Sequence, residues 1–296
     1  MHILRVGESI NVMSKSISAA MKECNPEPIQ DLALRQQQRG ADMLEINIGP
    51  ARKNGDSLMS WMVKTVEEVS DLPLSLDTTN PIAMEAGLKT VTKGRPIINS
   101  VSLQPDRLEQ VLPLVTAYNA QMIGLLWGRE GMPRDVNERA LMATELVYAA
   151  NEAGVKNEDI YLDPVVTPVS VDINQVIACY EFMSMAPEIA PGVKTIVGLS
   201  NVSNGTPNHL RGQLNRTFLI MLNRHQTLYS AIVDTFDDEL TRIARGELSN
   251  LCKLVWNLMD GATPDWSSLS EHEQAYAKTT RVLMGKTLYS HLWLEV

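Results

Sequence analysis

Short runs of consecutive apolar residues alternate with longer segments of helical periodicity from one end of the chain to the other. The runs are Ile3–Gly7, Met43–Ile48, Leu72–Leu76, Pro96–Ile98, Met122–Trp127, Ile160–Leu162, Thr195–Leu199 and Ala231–Val233. Apolar residues at successive positions, rather than at every second one, suit strands covered on both faces. Between each run and the next lies enough chain for a crossover helix. Asp56 to Ser70 shows the helical pattern, with Leu58, Met59, Met62, Val63, Val66 and Val69 in a stripe opposite Lys64, Glu67 and Glu68. Asn80-Pro81 reads as an N-cap followed by proline at the first helical position, with Gly94 in the return loop. Val136 to Ala153 repeats the pattern and stops at Gly154.

Such β/α units joined by right-handed crossovers form either a doubly wound sheet or a closed barrel. Even repetition, with no Gly-rich fingerprint after the first strand, favours the barrel. The expected fold is an α/β (β/α)8 TIM barrel, with residues 1–296 forming one domain. After Arg245-Gly246 the rhythm breaks into an apolar helix (Leu248–Met259), a turn (Asp260–Asp265) and a last helix from about Glu271 to Leu288. This adds a C-terminal helical hairpin. The inserted part, about 246–270, carries Trp256 and Trp266 and is expected to contribute to partner contact or to a homodimer. Core packing is an equally ordinary use of both tryptophans.

Composition narrows the function. Hydrophobic residues make up 44% and charged residues 21% of the chain, an ordinary globular mix. Lys and Arg total 26 against 35 Asp and Glu, a net charge of −9, which argues against DNA or RNA because phosphate contacts need clustered cations. Cys24, Cys179 and Cys252 lie far apart without a CxxC, which points to a reducing compartment without disulfides. The opening residues lack a signal-peptide pattern, and no apolar stretch is long enough to span a membrane. A cytoplasmic protein is expected.

In barrels of this kind chemistry gathers at the C-terminal ends of the strands. The first candidates after the runs are Glu8 with Asn11, then Asn47, Asp77, Asn99, Trp127, Asp163, Asn201 and Asp234. Any one Asp or Asn there is most simply a cap or turn former, and Asn11 and Asp234 suit that role. The pairing of Asp77, Asn99, Asp163 and Asn201 is harder to assign to capping, because such a buried rim is costly unless a ligand satisfies it. No strand ends in lysine, which removes Schiff-base chemistry. The five histidines form no pair at the rim, so a zinc hydrolase is not expected. No Gly-rich phosphate cradle follows the seventh or eighth run. An Asp and Asn rim suits a flat, nitrogen-rich heterocycle, since a carboxylate accepts two parallel N–H donors and a carboxamide both donates and accepts.

The strings GESIN at 7–11, EINIGPA at 45–51, LSLDTTN at 74–80, PIINS at 96–100, YLDP at 161–164, GLSNVS at 198–203 and LNRTFL at 214–219 occur in register across the barrel. Together they resemble the methyltetrahydrofolate:corrinoid/iron–sulfur protein methyltransferases and their relatives among pterin-binding barrels. The similarity covers residues 1 to about 240 and resumes in the last helix. Ser9 departs from the family's GERIN, and the loop from Asn201 to Arg211 is longer than the family's. The resemblance implies that Asp77, Asn99 and Asp163 hold the pterin ring and that Asn201 reaches the nitrogen bearing the methyl group. Glu8, Asn11, Asn47 and Arg211 complete the implied substrate site.

That resemblance also implies methyl transfer between nitrogen 5 of methyltetrahydrofolate and the cobalt of a corrinoid. An unprotonated tertiary amine would depart as an amide anion, so protonation or hydrogen bonding at nitrogen 5 is the catalytic need, assigned here to Asn201. No DxHxxG, the mark of base-off cobalamin binding, contains any of the histidines. Cobalamin is therefore expected on a separate corrinoid protein that docks transiently over the barrel mouth, with no metal on this chain. A dihydropteroate synthase needs a basic cluster for its diphosphate near strands seven and eight. Here Ser200 is followed by Asn201, while Arg211 and Arg216 lie in the loop and next helix. A non-catalytic pterin-binding scaffold and a metal-dependent barrel using Glu8, Asp77 and Asp163 are the further alternatives.

Overall fold

The computed structural model describes residues 2–295. Its strands are β1 (Leu4–Asn11), β2 (Met43–Gly49), β3 (Leu74–Thr78), β4 (Ile97–Ser102), β5 (Gln121–Leu125), β6 (Ile160–Asp163), β7 (Lys194–Gly198) and β8 (Ser230–Val233). They close in sequence order, with β8 pairing back in parallel to β1. The TIM barrel expected from the apolar runs is the observed fold. Around it lie α1 (Lys15–Glu23), α2 (Glu27–Gln38), α3 (Gly55–Glu67), α4 (Pro81–Thr90), α5 (Pro105–Gln110) and α6 (Leu112–Ala117). The second half carries α7 (Val136–Glu152), α8 (Ile173–Ile189), α9 (Asn208–Leu222), α10 (Asp238–Ala244), α11 (Ser249–Met259) and α12 (Glu271–Leu283).

Each strand divides its side chains by a period of two. Leu44, Ile46, Leu74, Leu76, Ile98 and Leu162 join the large apolar cluster shared with the helices. Val6, Met43, Ile97, Ile123, Tyr161, Ile196 and Ile232 form a separate cluster that plugs the barrel axis. Burial of each such aliphatic side chain contributes about 1.5–3 kcal/mol. Gly7 shows why one outward position is bare: a Cβ there would meet the Gln36 side chain of α2 at 2.4 Å.

Local signals hold where they were strongest. Asn80 caps α4, its Oδ1 accepting from the backbone N–H of Ile82 at 3.0 Å and of Ala83 at 3.3 Å. The last helix stops at Leu283, short of the expected Leu288, because Gly285 takes a left-handed φ of +69° just beyond it. Both α11 and α12 pack on α9. Trp256 is spent within the chain, its Nε1–H donating to the carbonyl of Ile220 on α9 at 2.8 Å. Trp266 is 37% exposed. Among the described residues no helix is long and apolar enough to cross a membrane.

Because Trp256 ties α11 to the barrel helix α9, Trp256→Phe should cost about 1 kcal/mol, the usual net value of one hydrogen bond. Urea unfolding followed by circular dichroism should show the barrel's own transition moved to lower denaturant. An unmoved barrel transition, with α11 melting separately, would contradict this.

Candidate active site

Two residues beyond each plug residue, the side chain points to the same side and one pleat step nearer the C-terminal end of its strand. That step leads from Val6 to Glu8, Met43 to Glu45, Ile97 to Asn99, Ile123 to Leu125, Tyr161 to Asp163, Ile196 to Gly198 and Ile232 to Asp234. On β3 it leads from Ser75 to Asp77. Over a single step the interior passes from largely apolar to largely polar, with acids at five of the eight positions.

Four carboxyl groups, those of Glu8, Glu45, Asp77 and Asp163, therefore crowd the mouth, while a fifth, Asp234, is exposed. Burial pushes Glu8 up to about 7; the hydroxyl of Ser200, which donates to its Oε2 at 2.9 Å, pulls the other way, Asp234 adds to the rise and Arg211 lowers it. Asp77 is likewise pushed up to about 7 by burial, with the Arg107 guanidinium opposing. Asp163 rises to about 6, again by burial, offset by the backbone N–H of Val165 at 2.8 Å and by Arg139. Glu45 is raised well above the usual carboxylate range, first by burial and then by its carboxylate neighbours Asp77 and Glu8. Among the described residues no group of three or more His, Cys, Asp or Glu is placed to hold a metal ion.

The carboxamides are held in defined orientations. Asn47 donates from Nδ2 to Asp77 Oδ2 and accepts the Gly49 N–H on Oδ1 at 2.9 Å, so both its ends are used in fixing Asp77. Asn99 donates from Nδ2 to Glu45 Oε1 at 3.0 Å. In the loop after β7, Arg211 donates to Asn204 Oδ1 at 3.4 Å, and Asn204 Nδ2 donates to Asn201 Oδ1 at 3.1 Å. A guanidinium has no acceptor, so it sets the polarity of this chain of amides. Among the described residues Asn201 Nδ2 has no acceptor, and it lies 3.0 Å from where a Cβ on Gly198 would stand. Glycine at 198 makes room for that amide on the axis side of β7.

Asp77, Asn99 and Asp163 thus come together on β3, β4 and β6, around Glu45, while Asn201 lies exposed in the loop just after β7. A cavity of about 520 Å³ opens beside them, lined by Asp77, Asn99, Ser100, Arg107, Leu125 and Arg129 among others. Asp163 and Asn201 are not part of that lining. Asn11 serves its own turn, accepting the Met13 N–H at 2.9 Å, and Asp234 does the same for Phe236 at 2.9 Å. Arg211 orders the β7 loop, donating to Ser203 Oγ at 3.1 Å as well as to Asn204.

Three residues of the site were not singled out from the sequence. Glu45 sits inside an apolar run, two residues after a plug residue, and that step is the signal that finds it. Arg107 comes from α5 and donates to the carbonyls of Ser100 and Thr79, clamping the β3 and β4 loops beside Asp77. Arg139 of α7, fully buried, donates to the carbonyl of Pro164 at 2.9 Å and to Gln175 Oε1 at 2.7 Å, anchoring the turn after Asp163. Nothing local in the sequence marks either arginine.

A polar rim at the C-terminal mouth of a parallel barrel defines a ligand-binding enzyme barrel. The chain belongs to the pterin binding enzyme family, whose model matches residues 7–226. It is similar to a methylcorrinoid:tetrahydrofolate methyltransferase from Eubacterium limosum, 25% identical over 77% of this chain and 84% of that protein. It is also 27% identical to methionine synthase from Mycobacterium leprae (strain TN), over 73% of this chain but only 19% of the synthase, about a fifth of that relative's length. Among solved structures, dihydropteroate synthase from Thermus thermophilus matches with a TM-score of 0.62 at 19% identity, over 84% of this chain and 94% of that one. That likeness speaks to the fold, which does not by itself fix the reaction.

The raised carboxyls make stability depend on pH. Unfolded, Glu8 loses its proton near 4.5; folded, it keeps it to about 7. Between those values the native state holds a proton that the unfolded chain has released, so this group's contribution falls as pH rises. Glu8→Gln removes that loss while keeping an acceptor for Ser200. Its Tm advantage over the unaltered protein should grow from pH 4.5 to about 7 and then level off, at roughly 2–4 °C for each kcal/mol. An advantage that shrank with rising pH in thermal scans would contradict the burial account.

Proposed function

We propose that this chain transfers a methyl group between nitrogen 5 of methyltetrahydrofolate and the cobalt of a corrinoid carried by a separate protein. The observation that carries the reading is the polarity of the rim. Asp77 Oδ1, Asn99 Oδ1 and Asp163 Oδ2 have no donor among the described residues, whereas Asn201, exposed in the loop after β7, has its Nδ2–H without an acceptor there. A tetrahydropterin has the complementary pattern: ring N–H and exocyclic amine donors on one edge, and a basic nitrogen 5 that needs a donor.

The chemistry follows from that fit. Asp77 and Asp163 accept from the ring and favour positive charge on it. The corrinoid supplies the nucleophile, and the electron pair of the breaking carbon–nitrogen bond stays on nitrogen 5. Asn201 Nδ2–H faces that pair, and its direction is already set through Asn204 and Arg211, so little reorganisation accompanies the reaction. Water delivers the proton.

One further observation supports the reading. Arg216 is bound to Asp237 at 2.8 Å and Glu239 at 2.6 Å, so it is not free to bind the diphosphate of a condensing enzyme.

Mixing the protein with methyltetrahydrofolate and cobalt(I) cobalamin should consume the cobalt(I) absorbance. A flat trace with active cofactor would overturn the proposal. Asp77→Ala and Asp163→Ala should each weaken tetrahydrofolate binding by roughly 10- to 100-fold, the loss of one charge-assisted hydrogen-bonding partner. Calorimetric titration measures this, and unchanged dissociation constants in folded variants would mean that the ring binds elsewhere.

A further inference from the structure

Glu45 is the most deeply buried of the four carboxyls, 4% exposed, yet the methyl-transfer mechanism leaves it without a task. By strand register it lies level with Ser75 of β3 and Ile97 of β4, one pleat step below Asn47, Asp77 and Asn99. A ligand resting on the rim meets Asn99 before Glu45. The only hydrogen bond Glu45 makes through its side chain among the described residues is the one it accepts from Asn99 Nδ2 at 3.0 Å.

We propose that Glu45 is a positioning residue, which turns the Asn99 carboxamide so that its oxygen faces the pterin. The inference rests on the folate reading above. The two ends of a carboxamide are nearly equal in size, so sterics alone do not choose between them. Held from below by Glu45 Oε1, Asn99 presents an acceptor, which completes a rim of acceptors with Asp77 and Asp163. With the amide reversed, its N–H would confront the ring's own donors and leave both without a partner, which is costly in a buried site.

The surroundings of Glu45 are acidic. Facing it are Glu8 of β1, Asp77 of β3, Asp163 of β6 and the neutral Asn99 of β4. Arg211, Arg107 and Arg139 act on Glu8, Asp77 and Asp163 respectively, but no cation among the described residues acts on Glu45. Burial, and then these carboxylate neighbours, raise its carboxyl well above the usual range, and its Oε1 takes the Asn99 N–H. Glutamine reproduces that acceptor, and methionine removes it at similar length.

The test is a double-mutant cycle read as tetrahydrofolate affinity. Glu45→Gln should bind within about threefold of the unaltered protein, because the glutamine oxygen can take the same Asn99 N–H. Glu45→Met should bind roughly 10-fold more weakly or worse, through loss of the ordering contact. Combined with Asn99→Ala, Glu45→Met should add nothing further, since it acts only through the amide. Relief of carboxyl crowding should leave the Tm of Glu45→Met no lower than that of the unaltered protein. Additive losses, a depressed Tm alone, or a Glu45→Gln defect as large as that of Glu45→Met would overturn the positioning role. Absence of tetrahydrofolate binding by the unaltered protein would instead remove the folate reading, and this inference with it.

Discussion

Carboxyl groups buried at the end of an apolar plug are the constraint on which the rest of the site depends. Water cannot reach Glu8, Glu45, Asp77 and Asp163 freely, and cations are few, so each carboxyl is pushed towards neutrality. The protein accepts that cost because the barrel supplies the stability elsewhere, through the plug and the strand–helix interface. A ligand rich in N–H donors relieves it, since each donor it brings favours the ionised form of an acid. Affinity and specificity thus arise from the same unfavourable burial.

Around the acids, the carboxamides are arranged so that polarity is decided before a ligand arrives. Asn47 is used up holding Asp77, Asn99 is held from beneath by Glu45, and Asn201 is oriented through Asn204 by a guanidinium. Gly198 leaves the space in which the Asn201 amide lies. The outcome is acceptors on β3, β4 and β6 and one donor at β7, a preorganised pattern of the kind that stabilises charge developing at one atom.

Much of this was legible in the sequence, for a physical reason. Parallel barrel strands are apolar on both faces, so the eight runs marked the strands, and the polar residues following them marked most of the mouth. Asn11 and Asp234 proved to be turn formers, as single Asx residues after strands usually are. Glu45 escaped because it lies in the middle of the run Met43–Ile48, ahead of Asn47 near the run's end, although its two-residue step from Met43 encodes its inward direction. Arg107 and Arg139 reach the site from helices, and only the folded arrangement brings their guanidinium groups to the loops that they hold. The overlong last helix has a similar origin, since helical periodicity does not reveal where a glycine will turn left-handed.

The central claim is that Asn201 Nδ2–H stabilises nitrogen 5 as the methyl group leaves. Such a contact strengthens in the transition state, so its loss should appear in the chemical step more than in binding. The most direct measurement is the single-turnover rate of Asn201→Ala at saturating methyltetrahydrofolate, where binding no longer limits. The account predicts a rate lowered by roughly 100-fold or more, the scale of one lost oxyanion-type donor, with a smaller loss of affinity. A variant that binds poorly yet reacts at the unaltered rate once saturated would contradict it.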